Sequence, residues 1–453
     1  MALETITVGA EGRFLLTESG RPFFWLGDTA WELFHRLNHA EVEAYLEVRS
    51  RQGFNLIQAV LLAEQDGLHA PNANGHVPLA GDDPARPNEY YFRYVDEIIR
   101  LAAAKGLYIG LLPAWGDKVH GGLWGIGPVI FDAANARTYG EFLGRRYRKD
   151  PNILWILGGD RPAEGYETVW GAMAQGIADG SGRRPFCTYH PTGGGSSSAV
   201  LHQAGWLDMN MLQSGHCLLD APNWEMVRSD YGRTPVKPVL DGEPNYEDHP
   251  VDPYQREWKP EYGRFTEYDV RKQAYRSVLS GACGHTYGHH SVWQFWDLTR
   301  EPINFPMPAW QEAVLRPGAW QMAHLKNLML SRPYASRIPG PDLLAGFSPA
   351  PPTRGIEDRR NPLRAAQPAA SRCAEGSYAL VYFPLAEQSL QIDARLLAGP
   401  LNAWWFDPRT GRARPAGDHT NQILTFTSPI AGPDWVLVLD SAEQGFPPPG
   451  ART

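Results

Sequence analysis

Two short stretches place acids where reacting groups could stand. NILWILGGDRP (152–162) runs through apolar residues and two glycines to Asp160, and KPVLDGEPNYEDH (237–249) brings Asp241 and Glu243 after a shorter apolar run. Each run reads as a buried strand reaching its end at the acid. Side chains alternate along a strand, so Leu154, Ile156, Gly158 and Asp160 are expected on one face, and Asp241 and Glu243 together on one face of theirs. The glycines before Asp160 are expected to remove bulk and leave room for a ligand. Two carboxyls facing each other across a pocket suit glycoside hydrolysis: one, protonated, donates to the leaving oxygen, and the other, ionised, stabilises or attacks the anomeric carbon. A lone acid at a strand end more often caps a helix or pairs with a loop cation. A matched pair on two strands favours the functional reading.

The elements that must position these acids recur along the chain. Apolar runs at 22–28, 55–61, 107–115, 152–160, 185–191, 207–216, 237–244 and 284–296 alternate with stretches of helical period at 38–53, 90–106, 136–150, 166–180 and 266–281. Eight strands mostly separated by helices predict an α/β fold, a (β/α)8 TIM barrel over 22–335. In such a barrel the strand C-terminal ends carry the chemistry, and strands four and seven face each other across the mouth. An open doubly wound sheet shows similar alternation, but the first strand–helix turn, WLGDTAWEL, lacks the GxGxxG phosphate fingerprint. Residues 377–453 hold short strands with turn residues between them, a smaller C-terminal all-β sandwich. Residues 1–21 read as an N-terminal β segment that packs against that domain or plugs the barrel bottom. Between the two domains, 336–376 reads as a connecting segment, rich in Pro, Ala and Arg and without period over 348–376.

The 453 residues suffice for a large core. A formal charge of −8 without a long basic run argues against a nucleic-acid partner. Cys187, Cys217, Cys283 and Cys373 are scattered with no CxxC pair and read as buried free thiols. No basic segment with an apolar h-region opens the chain, and no apolar window approaches a membrane span, so a cytoplasmic, membrane-free protein is expected, with export open to a longer form. Sixteen tryptophans and nineteen tyrosines suit stacking on sugar faces without identifying a site.

RPFFWLGDTAW, the GFN of RQGFNLIQ, WILGGD, LDGEPNYE and the tail WWFDPRTG with DWVLVLD resemble the apiosidase-like glycoside hydrolases over nearly the whole chain. That family has clan A (β/α)8 barrels with a C-terminal domain once labelled collagen-binding. The resemblance implies Asp160 as acid/base, Glu243 as nucleophile, and retaining double displacement, which calls for carboxyls ~5–5.5 Å apart. It also implies a plant glycoside or pectin side chain as substrate, with a β-apiosidase among the candidate activities. Many clan relatives carry Asn before a glutamate acid/base; here Gly159 precedes Asp160.

The other strand ends offer Asp28 and Trp31, Trp115 and Asp117, His190, Gln213 and His216, and Trp293, expected to bind hydroxyls or stack on rings. Their alternative is core or loop packing. His285, His289 and His290 in GHTYGHHS read as hydrogen-bonded or exposed groups, so neither a metal nor another cofactor is expected. HPTGGGSSS lacks the P-loop ending and reads as a mobile loop, and no GxSxG elbow is present. Two functional classes remain: a retaining exo-glycosidase, of apiose or of another sugar, and a carbohydrate-binding protein with an idle barrel. Oligomeric state leaves no trace in the sequence.

Overall fold

The computed structural model describes residues 3–122, 124–254, 258–348 and 361–451. Eight parallel strands form the barrel: β1 Trp25–Thr29, β2 Leu56–Val60, β3 Tyr108–Leu112, β4 Ile153–Gly158, β5 Cys187–His190, β6 Asn210–Leu212, β7 Val239–Asp241 and β8 Gly284–Tyr287. Ladders join them in the order β8-β1-β2-β3-β4-β5, with β6 and β7 paired separately. Single backbone bonds close the ring: Asp208 N donates to Cys187 O (2.8 Å), and Cys283 N to Val239 O (2.9 Å). Buried on both faces, the strands read as near-continuous apolar runs.

The expected helices are present as α1 His39–Arg51, α2 Glu89–Ala104, α3 Ala133–Tyr147, α4 Glu167–Ser181 and α6 Glu267–Leu279, and α7 Pro317–Leu330 follows the last strand. α5, Asn223–Tyr231, was not legible as a separate helix; its sequence NWEMVRSDY is polar and short. Asn38 and Glu41 cap α1 reciprocally, as Asp132 and Asn135 cap α3. The eighth apolar run is not one strand: after Tyr287 the chain makes a helical turn, His290–Trp293, capped by the His289 side chain. No helix is long and apolar enough to cross a membrane among the described residues.

The N-terminal segment forms a three-stranded antiparallel sheet whose Ile6, Phe14 and Leu15 join the main core. Tyr108, at the start of β3, donates to Glu4 O (2.6 Å), so this sheet closes the barrel bottom. The C-terminal domain pairs a six-stranded antiparallel sheet with a three-stranded one. Alternation in Tyr378–Phe383 divides the six-stranded sheet's faces: Ala379, Val381 and Phe383 meet the smaller sheet, while Tyr378, Leu380 and Tyr382 belong to the barrel's core. Arg337–Pro339, Leu344–Ala345 and Ala369–Cys373 are strands of this domain, so the segment expected to connect the domains contributes to the sandwich. Its middle, 349–360, lies outside the described residues.

Candidate active site

β4 stops at Gly158, and the alternation expected to carry Asp160 onto its face stops with it. Gly158 (φ +87°), Gly159 (φ +121°) and Asp160 (φ +56°) are all left-handed, a conformation that glycine takes freely and aspartate tolerates. A Cβ on Gly158 would lie 2.3 Å from His190 O, and one on Gly159 2.7 Å from the Trp115 ring. The glycines therefore let neighbouring strand ends approach; they do not clear space for a ligand. Gly159 N donates to His190 O (3.0 Å), Gly116 N to Gly159 O (3.1 Å), and Asp160 N to His190 Nδ1 (3.4 Å). Arg161 continues the clamp, bonding the carbonyls of His120, Trp124 and Asp160 and so holding the loop that carries Trp124.

β7 ends at Asp241, and the chain turns through Gly242 before Glu243. Asp241 and Glu243 do not share a face. Asp241 turns outward to Ser214 Oγ (2.8 Å) and Asn223 Nδ2 (3.0 Å). Glu243 points into the barrel mouth, where His216 Nε2 donates to Oε1 (3.0 Å) and His190 Nε2 lies 2.9 Å from Oε2. Gln58 of β2 reaches across the barrel to Gly242 O (3.0 Å), fixing the turn from the opposite side.

These surroundings separate the two acids electrostatically. Burial alone would raise the Glu243 carboxyl, but bonds and charge from His190 and His216 outweigh it and hold it down at about 2. Burial pushes the Asp160 carboxyl up, and the negative charge of Glu243 adds to the rise; His190, Gln213 and Arg161 oppose it. One carboxyl is thus biased to stay ionised and the other to hold a proton, the division of labour that acid–base chemistry on one bond requires.

Asp160 and Glu243 line one cleft with Trp31, Glu64, Trp115, Trp124, His216, Tyr246, His249, Tyr254, Trp293, Ile303 and Asn304. A second lobe continues beyond the same two acids, bounded by Thr192–Gly194 and Gln213–Leu218. Trp124 and Tyr254, with rings 4.7 Å apart, border both lobes.

Of the residues expected to bind substrate, Trp31, Trp115, His216 and Trp293 line the first lobe and Gln213 the second. His190 sits behind the lining, fully buried between the Trp31 and Trp115 rings and in contact with Glu243. The expectation for Asp28 is corrected: it turns away from the mouth to Tyr45 Oη (2.5 Å) and Arg49 Nε (2.6 Å) of α1. Asp117 is also withdrawn, bonded to Lys118 Nζ and to Gly127 N, both at 2.8 Å.

His285, His289 and His290 are buried, not exposed, and they diverge. His289 meets Asp248 (3.1 Å) and His290 meets Asn304 O (2.8 Å). The glycine-rich loop is tied down by Gly194 N to Gln213 O (2.8 Å), Gln213 N to Gly195 O (3.0 Å) and Ser197 N to Met211 O (2.9 Å).

Glu64, Trp124, Tyr246, His249, Tyr254, Ile303 and Asn304 escaped the sequence reading. Glu64 had a usable signal, since it follows the apolar run of β2; Tyr246 stands three residues beyond Glu243. The others lie on connections without period.

Comparison with known proteins agrees with this architecture. Residues 9–336 match the family described as "Apiosidase-like, catalytic domain", and residues 355–440 match "Putative collagen-binding domain of a collagenase". A glycoside hydrolase family 5 structure from Bacteroides vulgatus is 33% identical, with 97% of this chain and 93% of that chain covered and a TM-score of 0.84. A structure described as a glycoside hydrolase is also 33% identical, with 97% of each chain covered and a TM-score of 0.85. No curated protein matches. The family match spans most of the chain and includes both acids of the cleft: the protein belongs to the apiosidase-like glycoside hydrolases.

Proposed function

We propose that the protein is a retaining exo-glycosidase acting on plant-derived glycosides, with Glu243 as nucleophile and Asp160 as acid/base. The observation that carries this reading is the opposite biasing of two carboxyls in one cleft: Glu243 is held between two imidazoles, while Asp160 is half-buried beside its negative charge.

In the first step a Glu243 oxygen bonds to the anomeric carbon as the glycosidic C–O bond breaks. The proton on Asp160 passes to the departing oxygen. His190 and His216 keep Glu243 ionised and oriented. In the second step Asp160, now a base, takes a proton from water as the water oxygen attacks the anomeric carbon. The ester to Glu243 breaks and the sugar leaves with its original configuration. The tryptophan-lined lobe suits a terminal sugar stacked on indole faces, and the lobe bounded by Thr192–Gly194 and Gln213–Leu218 suits its leaving group.

A β-apioside is the first substrate to test, because the chain belongs to the apiosidase-like family. The same acid pair serves other sugars equally well, so a panel of chromogenic glycosides accompanies it. NMR of the first-formed product should show retained anomeric configuration, and Glu243→Gln should abolish turnover. An inverted product, or turnover at the wild-type rate in Glu243→Gln, would refute the mechanism.

A further inference from the structure

A third carboxyl enters the cleft without a part in this mechanism. Glu64 lies four residues past the end of β2, in NLIQAVLLAEQ, and lines the lobe that holds Trp31, Trp115, Trp293 and Asn304. It is only 9% exposed. Its backbone carbonyl accepts from Asp66 N (3.0 Å) and Ile126 N (3.4 Å), which fixes it beneath the loop that carries Trp124.

The charged groups that act most strongly on its carboxyl are acids. Burial pushes Glu64 well above the ordinary glutamate range, and Asp160, Glu32, Asp117 and Glu243 push it further in the same direction. The basic side chains nearby bond other partners: His35 and Arg36 bond Glu32, Lys118 bonds Asp117, His190 and His216 bond Glu243, and Arg161 bonds the carbonyls of His120, Trp124 and Asp160. A carboxyl in such surroundings is biased toward its protonated form, which can donate a hydrogen bond where a carboxylate could only accept. Position 159, beside the acid/base, can supply no side chain to the sugar, since a Cβ there would strike Trp115.

We propose, resting on the glycosidase reading above, that Glu64 is a neutral O–H donor to a hydroxyl of the sugar between Asp160 and Glu243, and that it restricts the site to uncharged glycones. A uronic acid in this lobe would bring a fourth carboxyl against the three of Glu64, Asp160 and Glu243. Glu64 is then a specificity-determining residue, distinct from the acid that serves the leaving group.

The test uses the full chain and has one arm that needs no turnover. In carbon-13 NMR the Glu64 carboxyl resonance, identified by its loss in Glu64→Gln, should stay unchanged through the range around pH ~4.3 where exposed glutamates titrate. It should shift when a neutral monosaccharide from the panel is added. Titration alongside the exposed glutamates, or no shift with any sugar tried, overturns the proposal whether or not the protein hydrolyses a glycoside. In the kinetic arm, Glu64→Ala should raise KM about tenfold with little change in kcat, the mark of a hydrogen bond made equally to substrate and transition state. Glu64→Gln, whose amide also donates, should recover most of that loss, and aryl uronides should be cleaved far more slowly than the matching neutral glycosides. Equal damage from Gln and Ala, or uronides cleaved as fast, would overturn it. If the wild type cleaves no glycoside at all, the glycosidase reading fails, while the NMR arm still decides the state and contacts of Glu64.

Discussion

The boundary between barrel and sandwich and the cleft at the barrel mouth are both buried and both rich in charge, yet they are built on opposite rules. At the boundary two carboxylates, Asp434 and Asp440, each meet a guanidinium edge-on. Arg271 grips Asp434 through Nε (2.8 Å) and Nη2 (2.6 Å), and Arg332 grips Asp440 likewise (2.8 and 2.7 Å). Tyr382 adds a third bond to Asp434 (2.9 Å), and Arg276 spreads over Asp220 and the carbonyls of Arg364, Ala365 and Gln367. Every residue of α6 from Asp269 to Leu279 is buried by this arrangement. In the cleft both imidazoles face Glu243, and Glu243 Oε2, His190 Nε2, His216 Nδ1, Gln213 Oε1 and Tyr246 Oη have no well-formed hydrogen bond. Buried polar groups in native proteins are normally satisfied. The Asp434 and Asp440 carboxylates of the boundary obey that rule and serve architecture; the catalytic carboxyl Glu243 departs from it where a sugar's hydroxyls could complete the bonding.

The comparison breaks most visibly if either region behaves like the other. Asp160→Asn should slow hydrolysis of glycosides with poor leaving groups by up to about 10⁴-fold, since a proton-donating acid is lost at the scissile bond. Glycosides with strongly acidic leaving groups, which need no proton, should lose far less in their first step. A uniform loss across leaving groups, measured by steady-state kinetics, would mean that Asp160 is not the donor.

Asp434→Ala carries the test to the boundary. It leaves Arg271 buried without its carboxylate, a loss of about 3 kcal/mol of stability. Denaturant unfolding should show that drop, while kcat of the folded protein stays near the wild-type value. A large fall in kcat with unchanged stability would place the catalytic electrostatics at the boundary instead.

The same contrast explains what the sequence could disclose. The barrel was legible because eight apolar runs alternate with helical periods, and Asp160 and Glu243 were legible because they stand just past strand ends. Which way a strand-end acid points was harder. Asp28 follows Gly27, whose Cβ would meet Thr286 and Leu56 inside the barrel. Parity therefore sends Asp28 outward to Arg49, and only knowledge of which residue faces inward decides this. Tyr254 and Asn304 left no signal: they sit in loops whose placement depends on long-range contacts such as His290 on Asn304 O. The left-handed run at Gly158–Asp160 was readable as glycine but misread as space.

His216→Ala sharpens the cleft side of the comparison at smaller cost. It removes the donor to Glu243 Oε1 but leaves His190 in place, so the Glu243 carboxyl should rise from about 2 toward its ordinary value of 4.5. The wild-type profile of kcat/KM should rise with pH as Glu243 ionises near 2, then fall once Asp160 loses its proton above its own raised value. In the variant the acid limb should move to higher pH, and the plateau should fall about tenfold for one lost charge-assisted bond. Stability follows the same sign. A depressed carboxyl stabilises the fold above its unfolded value of about 4.5, and that contribution fades as pH falls through the folded value near 2. The variant should therefore lose part of the advantage that the wild type holds at neutral pH, and the two unfolding energies should converge as pH drops toward 2. An acid limb left in place by His216→Ala would mean that His190 alone holds Glu243 ionised.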